Sequence, residues 1–135
     1  MNRSAFRLGV AGNPIAHSLS PDIHHAFAAS LGHDVVYERY LFDQDDFRGG
    51  AAAFFEQQGG TGLNVTVPFK RDAYDFADKL DTLAEAAGAV NTLAVKDGDI
   101  VGYNTDGVGM VRDIQVRYGV ALSGLNALIL GAGGA

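Results

Sequence analysis

Residues 63–70 have the sequence Leu-Asn-Val-Thr-Val-Pro-Phe-Lys. Its apolar residues alternate with Asn64 and Thr66, which is the period-two pattern of a β-strand with one buried face. Pro68 ends the strand, because proline has no N–H to donate to a neighbouring strand. The pattern predicts a strand that turns two polar side chains to one face, with Lys70 just beyond its carboxyl end.

Strands and helices alternate on both sides of this stretch. Short apolar or β-branched runs predict further strands at residues 6–11, 35–42, 91–96, 99–103 and 126–130. Helical periodicity and helix-start signals predict helices after Ser20, at 45–57, at 72–87 and after Asp106. Asp97-Gly98 predicts a hairpin, because a type I′ turn needs positive φ at both central positions. We therefore expect an α/β three-layer sandwich with a mostly parallel sheet and one antiparallel strand, followed by the first strand of an incomplete Rossmann domain.

The last five residues are a glycine-rich run directly behind the apolar strand predicted at 126–130. They are Gly131, Ala132, Gly133, Gly134 and Ala135. The run is either the start of a dinucleotide phosphate loop or a frayed tail, since a phosphate loop needs a helix to follow and hold the pyrophosphate. The first interpretation divides the chain into a domain at 1–120 and the beginning of a cofactor domain at 121–135.

Composition and charge exclude several classes of function. The 135 residues carry 10 basic and 16 acidic side chains, giving a net charge of −6, so we expect no general nucleic-acid or membrane binding. The chain has no cysteine and its four histidines complete no ligand spacing, so no metal site is predicted. No signal peptide is recognisable, and no apolar run approaches the roughly 20 residues that span a membrane. We expect a soluble, cytoplasmic protein.

Ser18 and Ser20 precede Pro21 at the start of the first predicted helix. Ser20 is expected to be the N-cap, and the structural interpretation of the pair is a capping serine beside a loop serine. The functional interpretation is an anion site, because two hydroxyls and the exposed amides of a helix N-terminus attract a carboxylate. The apolar face of this helix comprises Ile23, Phe27 and Leu31.

Asn64, Thr66 and Lys70 lie at the carboxyl end of a strand, where α/β sheets bind ligands. A lysine there could polarise a carbonyl oxygen and exchange a proton with it, whereas the structural alternative is an edge strand with a solvated lysine. Asp106 is expected to cap its helix, and it can also pair with Lys70 if the strand ends converge. Asn91 alone is an ordinary amide at the start of a strand.

Five sequence blocks in order resemble the shikimate dehydrogenase family, and together they are far more specific than any one of them. The blocks are Ser18–Pro21, Asn64–Lys70, Gly88–Thr92, Gly102–Gly107 and Gly131–Ala135. The resemblance covers the whole chain but only about the first half of the family's length. It implies the NADPH-dependent, reversible reduction of 3-dehydroshikimate to shikimate, in the pathway to aromatic amino acids.

The resemblance also implies roles for individual residues. The substrate carboxylate would be held by Ser18 and Ser20, and the ring hydroxyls by Asn64, Thr66 and Asn91. Lys70 and Asp106 would form the catalytic pair, and NADP would bind the loop that begins at Gly131. We expect this chain to supply the substrate-binding and catalytic half and to be inactive alone. The alternatives are a quinate/shikimate dehydrogenase paralogue and a non-catalytic binding module for shikimate-like acids.

The predicted last strand has a consequence for assembly. Leu128, Ile129 and Leu130 would lack the parallel neighbours of a whole Rossmann sheet, and exposed apolar edges seek partners. We expect the chain to form a homodimer, to exchange this segment between copies, or to leave it disordered.

Overall fold

A six-stranded sheet forms the centre of the computed structural model, which describes residues 5–131 and 133. Its strands are β1 (Phe6–Gly12), β2 (Val35–Leu41), β3 (Gly62–Val65), β4 (Lys79–Leu80), β5 (Thr92–Lys96) and β6 (Asp99–Tyr103). They lie in the order β2-β1-β3-β5-β6-β4. β1 pairs parallel with β2 and β3, β4 pairs parallel with β6, and β5 is antiparallel to both of its neighbours. The predicted mostly parallel sheet with one antiparallel strand is confirmed.

The helices connect these strands, and three of them end at glycines as predicted, whereas the segment predicted as helical at 72–87 contains the short strand β4 between two helices. The helices are α1 (Ser20–Leu31), α2 (Phe47–Ala52), α3 (Lys70–Phe76), α4 (Thr82–Ala87) and α5 (Asp106–Tyr118), and α2 continues into a π-helical turn at Ala53–Gln57. Gly32, Gly88 and Gly119 end α1, α4 and α5 in the left-handed conformation that favours glycine. Among the described residues, no helix combines the length and the apolar character needed to cross a membrane.

Two of the predicted helix caps are wrong. Ser20 and Asp106 are the first residues of α1 and α5, one position inside the N-caps. The amide of Ser20 donates to Ser18 Oγ at 3.3 Å, and the amide of Asp106 donates to Asn104 Oδ1 at 3.0 Å. Because side chains two residues earlier accept from these amides, the Asp106 carboxylate is left to bond other groups.

The apolar stripe of α1 faces away from the sheet. Ile23, Phe27 and Leu31 are 47%, 57% and 70% exposed, whereas Pro21 and Ala28 are buried. Helical spacing identifies which residues share a face, but the face that packs is chosen by the neighbouring strands.

Residues 126–130 form no strand, in contrast to the prediction. Leu128, Ile129 and Leu130 are 87%, 78% and 88% exposed, and within the described ranges no strand pairs with them. An apolar run becomes a strand only when a neighbour accepts and donates its backbone hydrogen bonds. The domain boundary at residue 120 stays a prediction.

The main core lies on one face of the sheet, where α2, α3 and α4 contribute buried residues. The largest fully buried side chains are Phe54, Leu63, Phe69, Val90 and Leu93. The other face carries a smaller cluster of Val10, Ile15 and Tyr37 near α1. The two faces thus differ in how much apolar surface they bury.

Candidate active site

Lys70 and Asp106 form an ion pair where α3 and α5 begin. Lys70 Nζ donates to Asp106 Oδ2 at 2.6 Å. The Lys70 side chain is 14% exposed and that of Asp106 is 36% exposed, so the pair lies at the edge of solvent. The two residues meet because β3 and β6 run in the same direction, and their carboxyl ends therefore lie at one edge of the sheet.

Asn91 joins this ion pair through its side-chain amide. Its Nδ2 donates to Asp106 Oδ1 at 3.0 Å and to Thr105 Oγ1 at 2.8 Å. Its Oδ1 accepts from the backbone amide of Thr105 at 3.1 Å, and a backbone N–H can only donate. The orientation of the Asn91 amide is therefore defined, and both Asp106 oxygens have partners.

Asn104 is a buried polar residue behind Asp106. Its Nδ2 donates to the carbonyl of Ala89 at 3.0 Å, and its Oδ1 accepts from the amide of Asp106 at 3.0 Å. A buried amide with both ends bonded holds two segments together, because leaving either end unpaired would cost about 1–3 kcal/mol. Asn104 therefore holds the start of α5 against the segment that precedes β5, a role that the sequence analysis missed.

Asn64 extends the network across the sheet. Its Oδ1 accepts from the hydroxyl of Tyr37 on β2 at 2.7 Å, and its Nδ2 donates to Thr92 Oγ1 on β5 at 3.1 Å. The Thr92 hydroxyl in turn donates to Asn91 Oδ1 at 3.1 Å. A continuous series of hydrogen bonds therefore leads from Tyr37 to the ion pair.

Sequence reasoning missed Tyr37 and Thr92. Thr92 lies directly opposite Asn64 in the β3–β5 register, and Tyr37 lies on β2, two strands away from β3. Burial raises the pKa of Tyr37 to about 12, and a hydrogen bond with Ser20 partly opposes that rise. The period-two patterns of β2 and β5 put polar groups on the face of Asn64, but only the strand order shows that they meet.

Ser18 lies in the loop between β1 and α1, and Ser20 is the first residue of α1. Arg39 of β2 holds this segment, because its Nε and Nη2 donate to the Ser18 carbonyl at 2.9 and 2.6 Å. The Ser20 side chain lies near the Tyr37 hydroxyl, at the end of the network, where burial raises the pKa of that phenol and Ser20 partly lowers it. The guanidinium and the N-terminus of a 12-residue helix both make this corner of the site favourable for an anion.

Thr66 lies after β3, in the turn that leads to Lys70. Its amide donates to the carbonyl of Ala11 at 3.0 Å, and its carbonyl accepts from the amide of Phe69 at 3.0 Å. A Cβ at Gly12 would lie 2.6 Å from Thr66 Cγ2, so glycine is needed for this close approach. Thr66 is therefore held at the site by its backbone, whereas Asn64 and Asn91 belong to the side-chain network.

A groove of about 1150 Å³ extends from the ion pair along α4 and α5. Lys70, Asp106 and Asn104 line its polar end, and Leu83 and Val111 line its apolar part. Its volume is large enough for a substrate together with part of a second molecule. The ion pair is thus open to ligands from this side.

Two residues of the predicted cofactor loop are described, Gly131 and Gly133, whereas Ala132, Gly134 and Ala135 lie outside the described residues. Gly131 has a φ of +107°, in the region that favours glycine. Gly133 lines the same groove as Lys70 and Asp106. The phosphate loop itself stays a prediction.

A protein-family model and curated proteins both match this chain. The family model of the shikimate dehydrogenase substrate binding domain matches residues 10–93. The shikimate dehydrogenase (NADP(+)) of Halorhodospira halophila is 58% identical over 127 residues, which cover 93% of this chain and 47% of that protein. That of Cupriavidus taiwanensis is 54% identical over 132 residues, which cover 98% of this chain and 44% of that protein. The chain spans less than half the length of these curated relatives.

Solved structures show the same similarity. An Ael1 enzyme from Pseudomonas putida has a TM-score of 0.89 and 40% identity, over 96% of this chain and 48% of that one. Shikimate 5-dehydrogenase from Thermus thermophilus, in complex with shikimate, has a TM-score of 0.84 and 36% identity over 96% of this chain and 48% of that one. The same enzyme in complex with NADP(H) and shikimate has a TM-score of 0.77 and 32% identity, over 87% of this chain and 44% of that one.

Proposed function

The chain belongs to the shikimate dehydrogenase substrate binding domain family, and from that premise we propose that it supplies the substrate-binding and catalytic half of an NADP-dependent shikimate dehydrogenase. The reaction is the reversible reduction of 3-dehydroshikimate to shikimate. The observation that carries the proposal is the ion pair of Lys70 and Asp106, joined to Asn91 and Asn64 by hydrogen bonds. Location in the cytoplasm and self-association stay predictions.

The substrate carboxylate binds at Ser18 and Ser20. The support is electrostatic, since Arg39 bonds the Ser18 carbonyl and the first turn of α1 offers positive dipole charge. Because the chain as a whole carries a negative charge, the attraction for a carboxylate is confined to this corner of the site.

The ring hydroxyls of the substrate bind at Asn64, Thr66 and Asn91. One N–H of Asn64 is bonded to Thr92, which leaves the second N–H for a hydroxyl oxygen. A site of fixed donors and acceptors discriminates strongly, because a substrate that lacks a matching hydroxyl leaves a polar group unpaired.

Proton transfer is the task of Lys70. When bound, NADPH supplies the hydride. The glycine-rich loop that includes Gly131 and Gly133 would hold this cofactor. As negative charge develops on the substrate oxygen, the Lys70 ammonium stabilises that charge and donates a proton from Nζ. Asp106 Oδ2 accepts from Nζ and so aims the ammonium, while Asn91 holds the second carboxylate oxygen. In the oxidation of shikimate the same nitrogen takes the proton back.

The test is Lys70→Ala in the complete protein that includes residues 1–135. Because general acid–base catalysis contributes about 10²- to 10⁴-fold, kcat for shikimate oxidation is expected to fall by about that factor. The dissociation constant of shikimate is expected to change by less than about fivefold, since the hydroxyl and carboxylate contacts remain. Both quantities are measured by steady-state kinetics and calorimetric titration.

Arg71→Ala is the matched control. Arg71 is the adjacent cation on α3, but its side chain is 70% exposed and faces Asp75 at 3.7 Å. Its loss is expected to change kcat by less than about twofold. An unchanged kcat in Lys70→Ala, or an equal loss in both variants, would exclude the role proposed for Lys70.

A further inference from the structure

Asn64 lies on the polar face of the sheet, and each hydrogen bond in the series through its side chain has a defined donor and a defined acceptor. The backbone amide of Thr105 can only donate, so the atom that it meets at 3.1 Å is Asn91 Oδ1. The Thr92 hydroxyl gives its single proton to the same oxygen at 3.1 Å. The Thr92 oxygen must therefore accept from Asn64 Nδ2, which lies 3.1 Å away. The direction of the series is thus set by a backbone group.

Tyr37 lies at the far end of this series. With Nδ2 of Asn64 directed to Thr92, its Oδ1 faces Tyr37 and accepts from the phenol hydroxyl at 2.7 Å. Tyr37 is 3% exposed, and its ring stacks on that of His24 with 4.3 Å between centroids and 11° between planes. A ring held in this way has little freedom to move its hydroxyl. Because burial raises the pKa of the phenol to about 12, the hydroxyl remains a donor at neutral pH.

The phenol oxygen also adjoins the predicted carboxylate corner. Burial raises the pKa of Tyr37, and the Ser20 side chain, which lies near the phenol, lowers it by less. Tyr37 therefore stands between Ser20 and Asn64, each of which has a separate expected contact with substrate. Neither of those contacts involves Tyr37 itself.

We propose that Tyr37 is a positioning residue whose buried hydroxyl, bonded to Oδ1 of the Asn64 side chain at the end opposite Thr92, keeps the orientation of that amide fixed. The inference rests on the proposed function, because the value of that orientation is to present the remaining Asn64 N–H to a ring hydroxyl of a shikimate-like acid. Without the Tyr37 hydroxyl, Asn64 Oδ1 loses its donor and the amide is held only at its Nδ2 end by Thr92, so the position of the remaining N–H is less well defined.

The experiment compares Tyr37→Phe with Tyr40→Phe in the complete protein. Tyr40 lies on the same strand but on the other face, and its hydroxyl donates to the exposed Glu38 at 3.3 Å. Loss of one neutral hydrogen bond predicts an increase of about three- to tenfold in the dissociation constant for shikimate in Tyr37→Phe, and of less than about 1.5-fold in Tyr40→Phe. The kcat at saturating shikimate is expected to change by less than about twofold, because Lys70 and Asp106 are untouched.

A second measurement separates positioning from general structure. In an Asn64→Ala background, Tyr37→Phe is expected to weaken shikimate binding no further, because the group that it positions is gone. The side-chain amide protons of Asn64, followed by NMR without ligand, are expected to shift or broaden in Tyr37→Phe and to stay unchanged in Tyr40→Phe.

The outcomes distinguish the two proposals. Unaltered Asn64 amide signals, unaltered shikimate affinity, or an effect of Tyr37→Phe that persists in Asn64→Ala would each overturn the role of Tyr37. If the unmodified protein does not bind shikimate, the proposed function fails, and the ligand-free Asn64 signals alone then decide whether Tyr37 orients this amide.

Discussion

Along β3, Leu63 and Val65 point to one face of the sheet and Asn64 points to the other. On the first face they pack with Phe54 and Phe69, and none of these four side chains is more than 3% exposed. On the second face Asn64 is bonded to Tyr37 and Thr92, and the α1 helix covers only part of the surface. The same strand thus contributes to an apolar core and to a polar site.

The difference shows how a small domain can keep a polar site rigid. Each polar residue of a strand has buried neighbours on both sides in the chain, because side chains alternate between the faces. The apolar face supplies the free energy of folding, and the polar face uses the resulting fixed backbone to hold amides and hydroxyls in place. Mutations on the apolar face should therefore change mainly the free energy of unfolding, and mutations on the polar face should also change ligand binding.

The largest expected effect is on the apolar face. Phe54 is fully buried, so Phe54→Ala is expected to lower the free energy of unfolding by about 3–5 kcal/mol. The measurement is urea unfolding, with Phe27→Ala on the exposed side of α1 as the control. The shikimate affinity of the folded protein should stay within about twofold. Equal losses of stability in the two variants would contradict the assignment of the core.

A smaller effect is expected where the polar face is crowded. In Gly12→Ala the new Cβ would lie 2.6 Å from Thr66 Cγ2 and 2.9 Å from Ile15 Cδ1, so stability is expected to fall by about 1–3 kcal/mol. Displacement of Thr66 should also weaken shikimate binding. Gly109→Ala in α5 is the control, because its Cβ meets nothing within 4 Å and alanine favours a helix. Unchanged stability and unchanged shikimate affinity in Gly12→Ala would contradict the prediction that the close contact with Thr66 requires glycine.

The smallest expected effect is the alkaline titration of the polar face. The folded pKa of Tyr37 is raised to about 12, whereas the unfolded tyrosine titrates near its ordinary value of about 10. Between these values the unfolded state loses the proton and the folded state keeps it, so stability is present below about pH 10 and is lost as the pH rises towards 12. At pH 11 the cost is about 1.4 kcal/mol.

Tyr37→Phe should remove this part of the pH dependence. Urea unfolding of both proteins at several pH values from 8 to 12 measures it as a difference in slope above pH 10. Parallel slopes would show that the Tyr37 phenol is not held neutral by burial.

Local signals in the sequence were sufficient for most of the fold. The alternation around Asn64 predicted β3, and Asp97 and Gly98 have positive φ values of 54° and 90° in the hairpin that their sequence predicted. Where a partner decides the structure, local signals failed. Residues 126–130 have the composition of a strand but no neighbouring strand within the described residues.

Period-two alternation and helix-start chemistry show which strand ends carry amides, hydroxyls and charges, because both depend only on nearby residues. The hydrogen bonds that join Tyr37 and Thr92 to Asn64, by contrast, depend on how the strands are arranged in the sheet. Tyr37 and Thr92 come from strands on opposite sides of β3 in the sheet, since β5 is directly beside β3 and β2 lies beyond β1. A hydrogen bond needs two groups within about 3 Å, and distance between strands is set by the order of the whole sheet and not by any local pattern.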